Sequence, residues 1–225
     1  MLYALLVAFV VIFVAEQGDK TQILAFALST RYKAWQVLLG IGVATLLMNG
    51  VFAVAGRLVG NLIPSFWLWV ASGVAFVGFG IWALLESEED ESAEADARFR
   101  GFGPIVTSGG LFFLAELGDQ SELITMVLAA NSAGPLLALG AAGPALQGLL
   151  AHAGVRAAAG SSTGTLVGVW LGSALGMLFA DSLGIIAGRL LHRTLPGLLL
   201  RRIAGWLMVA IGAAVLVAAL VSKLV

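Results

Sequence analysis

Apolar residues run along the chain in long blocks, and the polar residues collect between them. Between charged residues and Gly or Pro punctuation, the blocks fall near 2–29, 34–60, 66–85, 104–130, 164–190 and 203–222. Each approaches or exceeds the roughly 20 residues that an α-helix needs to cross a hydrocarbon core of about 30 Å. The pattern predicts an all-α integral membrane protein with six transmembrane helices. The first block lacks a basic leading region and runs directly into the polar stretch Glu16–Gln22. It is expected to be a retained span rather than a secretory signal.

The polar interruptions repeat. Glu16-Gln17-Gly18-Asp19-Lys20-Thr21-Gln22 recurs as Glu116-Leu117-Gly118-Asp119-Gln120-Ser121-Glu122, at an offset of 100. At an offset of 132, Ala55-Gly56-Arg57-Leu58 recurs as Ala187-Gly188-Arg189-Leu190, and Pro64, Gly73 and Gly80 match Pro196, Gly205 and Gly212. Asn49 matches Asp181 in the same register. Residues 1–85 and 104–222 therefore read as two copies of a three-helix unit. Three is odd, so the copies insert with opposite topology, a plan in which the substrate site lies at the repeat interface near the bilayer midplane. Residues 86–103 form an acidic linker between the repeats. The second copy carries 32 extra residues, about 131–163, expected as an interfacial or re-entrant segment because Pro135, Pro144 and several glycines make a poor span.

Composition narrows the class. The chain is 60% hydrophobic and 11% charged, with a mean hydropathy of +1.01, against about 45–50% and about 25% in a soluble domain. With no Cys, thiol catalysis and disulfides are excluded, and a net charge of -1 gives no reason to expect a nucleic-acid partner. On six spans, Arg31, Lys33, Arg98, Arg100, Arg189, Arg193, Arg201 and Arg202 share one side, and Arg57, Arg156 and Lys223 share the other. The richer side is expected to be cytoplasmic, which puts both termini outside and the linker inside.

Of thirteen acidic residues, seven lie in the stretch from Glu86 to Asp96. The other six, Glu16, Asp19, Glu116, Asp119, Glu122 and Asp181, lie inside apolar blocks, where an ionisable residue marks a functional site by default. Each motif places two carboxylates at i and i+3, on one face of a helix. Gly18 and Gly118 allow that helix to loosen or to break where it lines a cavity. Isolated at the bilayer centre, four such carboxylates would cost on the order of 10 kcal/mol. Lys20 is the one base inside the motifs and its counterpart is Gln120, so ion pairing cannot balance all four acids. A divalent cation or protons must do so, and a site that holds one or the other is the physical core of a cation/proton antiporter. All-oxygen ligands suit Mg²⁺, Ca²⁺ and Mn²⁺.

Six further residues extend the candidate site. Thr21 and Ser121 supply hydroxyls, although in a membrane helix such a hydroxyl commonly bonds its own i−4 carbonyl. Gln22 and Glu122 stand one turn beyond the aspartates. Asn49 and Asp181 are polar counterparts in the second helix of each unit, and Asp181 has a structural alternative in an ion pair with Arg189.

Two Glu-x-Gly-Asp-(Lys/Arg)-(Thr/Ser) motifs, each in the first block of a three-helix repeat and separated by an acidic loop, resemble the Gdt-type family of Ca²⁺/Mn²⁺:H⁺ exchangers. That family has a Golgi branch in eukaryotes and bacterial manganese exporters. The resemblance implies multi-pass transport of manganese or calcium against protons, in a bacterial inner membrane, with Glu16, Asp19, Glu116 and Asp119 as metal ligands. It implies a transporter and no enzyme. The metal is cargo, no cofactor is expected, the partners are a divalent cation and the lipid bilayer, and a homo-oligomer is compatible. The second motif departs from the pattern: Gln120 replaces the usual base, and Glu122 stands where the first copy has Gln22. Two other readings compete: an exporter of a basic amino acid or other organic cation, and an intramembrane aspartyl protease built on the two Gly-Asp pairs.

Overall fold

The computed structural model describes residues 1–85, 102–117, 119–130, 162–191 and 197–224. The acidic linker and the extra segment, as far as 101 and over 131–161, lie outside the described residues, as does Gly118. Eight helices occur among the described residues: α1 (Leu2–Ala15), α2 (Lys20–Arg31), α3 (Ala34–Leu62), α4 (Ser65–Leu85), α5 (Pro104–Glu116), α6 (Gln120–Ala130), α7 (Ser162–Leu191) and α8 (Gly197–Leu224).

Three stretches, Ala34–Leu62, Phe66–Leu85 and Thr163–Ile186, are long and apolar enough to cross a membrane. The expected first block is one span in composition but two helices in shape: α1 and α2 meet at 81° across the motif. The fourth block divides in the same place, into α5 and α6. At 1.5 Å per residue, the 14-residue α1 rises only about 21 Å and cannot cross hydrocarbon alone.

The packing follows small residues. α7 lays Gly168, Gly172 and Gly176 against the backbone of α1 at Met1, Leu5 and Phe9, the small-xxx-small spacing that lets membrane helices approach closely. α3 does the same to its neighbours, with Gly40 against Ile105 and Gly109 of α5 and Gly56 against Met126 of α6. The counterpart of Gly40 is Gly172, and the counterpart of Ile105 is Leu5. α1 thus rests on α7 as α5 rests on α3. α3 and α7 also pack on each other, and α4 packs on α8.

In the α4–α8 contact, Gly73 meets the Gly212 carbonyl and Gly80 meets the Gly205 carbonyl, so repeat-related glycines pair crosswise. A Cβ on Gly212 would lie 2.7 Å from both the Gly73 carbonyl oxygen and the Val77 amide nitrogen. Gly212→Leu should therefore cost about 1–3 kcal/mol by overpacking, measured as a lower melting temperature of the detergent-purified protein. Exposed Leu39, Val43, Leu47, Val51, Val54 and Leu58 recur every three or four residues along α3, the outer face that such a helix turns to lipid.

A four-carboxylate candidate cation site

The breaks build the site. Gly18 has φ 80, a left-handed conformation that a side chain resists, and there α1 ends and α2 starts in a new direction. The two acids of each motif consequently do not share one helix face, as spacing alone suggested. Glu16 caps the C-terminus of α1, and Asp19 is the N-cap of α2. A short backbone bond closes the same turn in both motifs, from Asp19 N–H to the Glu16 carbonyl at 3.3 Å and from Asp119 N–H to the Glu116 carbonyl at 2.9 Å. Asp19 also accepts from Thr21 N–H, and Asp119 from Ser121 N–H, which satisfies amide groups at the start of each new helix.

This arrangement has an electrostatic sense. Asp19 and Asp119 stand at helix N-termini, where a carboxylate is stabilised. Glu16 and Glu116 end α1 and α5, so the negative ends of two helix dipoles point where two carboxylates already stand. That placement disfavours the anions and favours a cation between them. One carboxylate oxygen each of Glu16, Asp19 and Glu116 lies within 4.8 Å of the others, so the two motifs converge on one point. Asp119 stands beside Glu116, since Ser121 Oγ lies within reach of both carboxylates. Glu16 is 1% exposed and Glu116 is fully buried, and among the described residues one oxygen of Glu116 has no hydrogen-bond partner. Oxygen ligands in this number and of this hardness suit a divalent cation such as Mn²⁺ or Ca²⁺.

The hydroxyls turn toward the acids, not toward their own helix. Thr21 Oγ1 donates within reach of Asp19 at 3.0 Å and Glu16 at 3.4 Å. Ser121 Oγ does so to Glu116 at 3.2 Å and Asp119 at 3.4 Å. Each hydroxyl bridges the two carboxylates of its own motif, so the local i−4 alternative does not hold.

Gln22 plays a different part. Its Oε1 accepts from Gly18 N–H at 3.2 Å, and its Nε2 donates to the Ala180 carbonyl of α7 at 3.2 Å. It clamps the first break to α7. Glu122 is fully buried at the matching position, where a carboxylate replaces the amide. Gln120 is buried as well, while its counterpart Lys20 is exposed.

Asn49 and Asp181, although counterparts, are not equivalent. Asn49 is held by hydrogen bonds at both ends of its amide: Nδ2 donates to the Thr45 carbonyl at 2.9 Å, and Oδ1 accepts from Thr125 Oγ1 at 2.8 Å. It is a lock between α3 and α6. Asp181 is fully buried, and among the described residues neither of its oxygens has a hydrogen-bond partner. The side chain of Arg189, its expected partner, lies outside the described residues.

Thr125 was not singled out from the sequence, yet the signal was present. It stands four residues after Ser121, a polar residue on the motif's face of an apolar helix. Thr125→Val would leave the Asn49 carbonyl oxygen buried without its donor, at about 1–3 kcal/mol. A lower melting temperature with little change in metal affinity is the expected result.

With this geometry in place, the comparisons with known proteins are direct. The family model described as "Divalent cation/proton antiporter GDT1" matches residues 4–91, which include the first motif. A protein of Vibrio cholerae named "Putative manganese exporter" is 36% identical over 124 residues, covering 54% of this chain and 60% of the relative. A GDT1-like protein of Synechocystis is 32% identical over 150 residues, covering 59% of this chain and 72% of the relative. GDT1-like protein 4 of Arabidopsis thaliana is 29% identical over 156 residues, covering 53% and 68%. No solved structure matches. The chain belongs to the GDT1 family of divalent cation/proton antiporters, a family of transporters and not of enzymes.

Proposed function

We propose that this chain exchanges a divalent cation, Mn²⁺ or Ca²⁺, for protons and exports the metal from the cytoplasm. The observation that carries the reading is the meeting of Glu16, Asp19 and Glu116 within 4.8 Å, with Asp119 alongside, at the ends of two helices broken at membrane depth. Such a group is stable when it holds a divalent ion or when it holds protons, and unstable when it holds neither. Export of manganese is supported by the name of the Vibrio relative.

The same reading takes residues 1–85 and 104–222 as inverted three-helix repeats in six spans, with α1–α2 and α5–α6 each forming one broken span. The exchange of partners supports it: α1 rests on α7 as α5 rests on α3, and the glycines of α4 and α8 pair crosswise. Both termini lie outside and the linker inside, following the distribution of Lys and Arg. Cytoplasmic metal displaces protons from the four carboxylates, one repeat rocks against the other, and external protons release the metal. An exporter of organic cations is disfavoured by the tight convergence of three carboxylate oxygens, which suits a bare ion better than an ammonium group on a stem. Family membership removes the protease alternative.

Gln120 bears on affinity. A lysine there would be buried beside Asp119, unlike exposed Lys20, and at about 8 Å and an effective dielectric of about 20 each unit charge contributes about 2 kcal/mol. Gln120→Lys should weaken Mn²⁺ binding by at least about thirtyfold, measured by titration of the free-ion electron paramagnetic resonance signal.

Flux in proteoliposomes tests the reading. Under an imposed pH gradient, wild-type vesicles should move Mn²⁺ or Ca²⁺ and Asp19→Asn vesicles should not. Movement of neither ion by either protein would defeat it.

A further inference from the structure

α7 passes the cation site one residue from the point where Gln22 grips it. The Gln22 amide donates to the Ala180 carbonyl while accepting from Gly18 N–H at the break, so Asp181 is held next to the first motif. Asp181 is 0% exposed, and among the described residues neither carboxylate oxygen has a hydrogen-bond partner. Asp181 shares its helix face with Met177, which Asn49 approaches, and with Gly184, which lies against Gln22 beside the first motif. A buried carboxylate without donors is rare in proteins, because such a group loses its hydration with nothing in exchange.

The other half of the molecule shows what a purely structural residue looks like at this place. Asn49, the counterpart, is neutral and has both ends of its amide engaged, by Thr45 and Thr125. Asp181 has the opposite properties: a carboxylate with two unused acceptor oxygens, on the face of α7 that meets Gln22 and the first motif. The two halves of the site are therefore unequal, with the extra carboxylate on the side of the first motif.

We infer that Asp181 is a fifth carboxylate of the cation site, a ligand supplied by α7 whose oxygens are completed by the divalent ion. This rests on the proposed exchange at Glu16, Asp19, Glu116 and Asp119 and extends it. The ion is held by both broken helices and by one unbroken helix, so its arrival also fixes α7 against the first break.

Mn²⁺ itself is the probe, titrated into the full detergent-purified chain and followed by loss of the free-ion electron paramagnetic resonance signal. Asp181→Asn, which installs the residue found at the counterpart position, should weaken Mn²⁺ affinity at least tenfold. Without metal, it should melt no lower than the wild type, because no hydrogen bond is lost. Asp181→Ser should show the same affinity loss and serves where the asparagine variant does not fold. Asp19→Asn is the control for the underlying site. Asp181 variants that bind within twofold of wild type while Asp19→Asn loses binding would overturn this inference alone. A metal-free melting temperature clearly below wild type with unchanged affinity would assign Asp181 to structure and overturn it as well. Absence of Mn²⁺ binding by the wild type would instead remove the proposed exchange, and this inference with it.

Discussion

Glu116→Gln is expected to weaken Mn²⁺ binding by a hundredfold or more while making the metal-free protein more stable. Both effects come from one charge. Glu116 is fully buried beside Glu16 and Asp19, so with metal bound it is one of several partners of a desolvated cation. Removing one partner of a buried charge pair costs about 3–5 kcal/mol, or about two to three and a half decades in affinity. Without metal the same carboxylate is a like charge among like charges, at the negative end of a helix dipole, and its neutralisation relieves repulsion. Two titrations check this: the free-ion resonance signal for affinity, and thermal melting in the presence of a chelator. In the wild type, Mn²⁺ at a hundred times its dissociation constant should add about 2.7 kcal/mol of stability, and in Glu116→Gln nearly none. A variant that loses stability without metal and keeps its affinity would make Glu116 a structural residue.

The second large effect is that of pH on affinity. Carboxylate ligands bind metal in their ionised form, so each proton that the ion displaces changes the apparent affinity about tenfold per pH unit. The sign follows directly: affinity falls as pH falls, because protons compete for the same oxygens. If two protons leave as one Mn²⁺ enters, the dissociation constant should rise about a hundredfold for each unit of acidification, within the range where the cluster titrates. Binding isotherms at several pH values check this, and a flat profile would mean that metal and protons do not share the site.

Much of this site was legible in the sequence, and the reasons differ from residue to residue. Glu16, Asp19, Glu116 and Asp119 stood out because carboxylates in hydrocarbon need a reason, and because the motif occurs twice at a constant spacing. The long helices were legible because apolar length alone specifies a span. The geometry inside the motifs was not. Spacing of i and i+3 implies a shared helix face only while the helix continues, and the left-handed backbone at Gly18 ends it. The acids therefore converge from two helix ends in each motif. The hydroxyls of Thr21 and Ser121 were open to two partners, and the break decides between them, since at the start of a new helix the i−4 carbonyl is no longer aligned behind them.

The pairing of Asn49 with Asp181 shows a further limit. The repeat register marked them as equivalent, but equivalence of position is not equivalence of role. Thr125 engages Asn49 from α6, and the matching residue in the first copy is Ala25, which has nothing to donate. Which of the two polar residues is held structurally depends on a partner 76 residues away, a relation that no local pattern carries. Gln22 is similar: its position beside the motif suggested a ligand, and its bonds to Gly18 and Ala180 make it a brace.

The central claim is that one buried site holds metal and protons in turn, so that movement of either ion drives the other. The most direct measurement runs the exchange backwards from its usual test. Proteoliposomes with a pH-sensitive dye inside, no pH gradient and the membrane potential clamped receive Mn²⁺ outside. Inward Mn²⁺ movement should expel protons and make the lumen more alkaline in wild-type vesicles, with no change in Asp19→Asn vesicles. Entry of Mn²⁺ without alkalinisation of the lumen would contradict the claim.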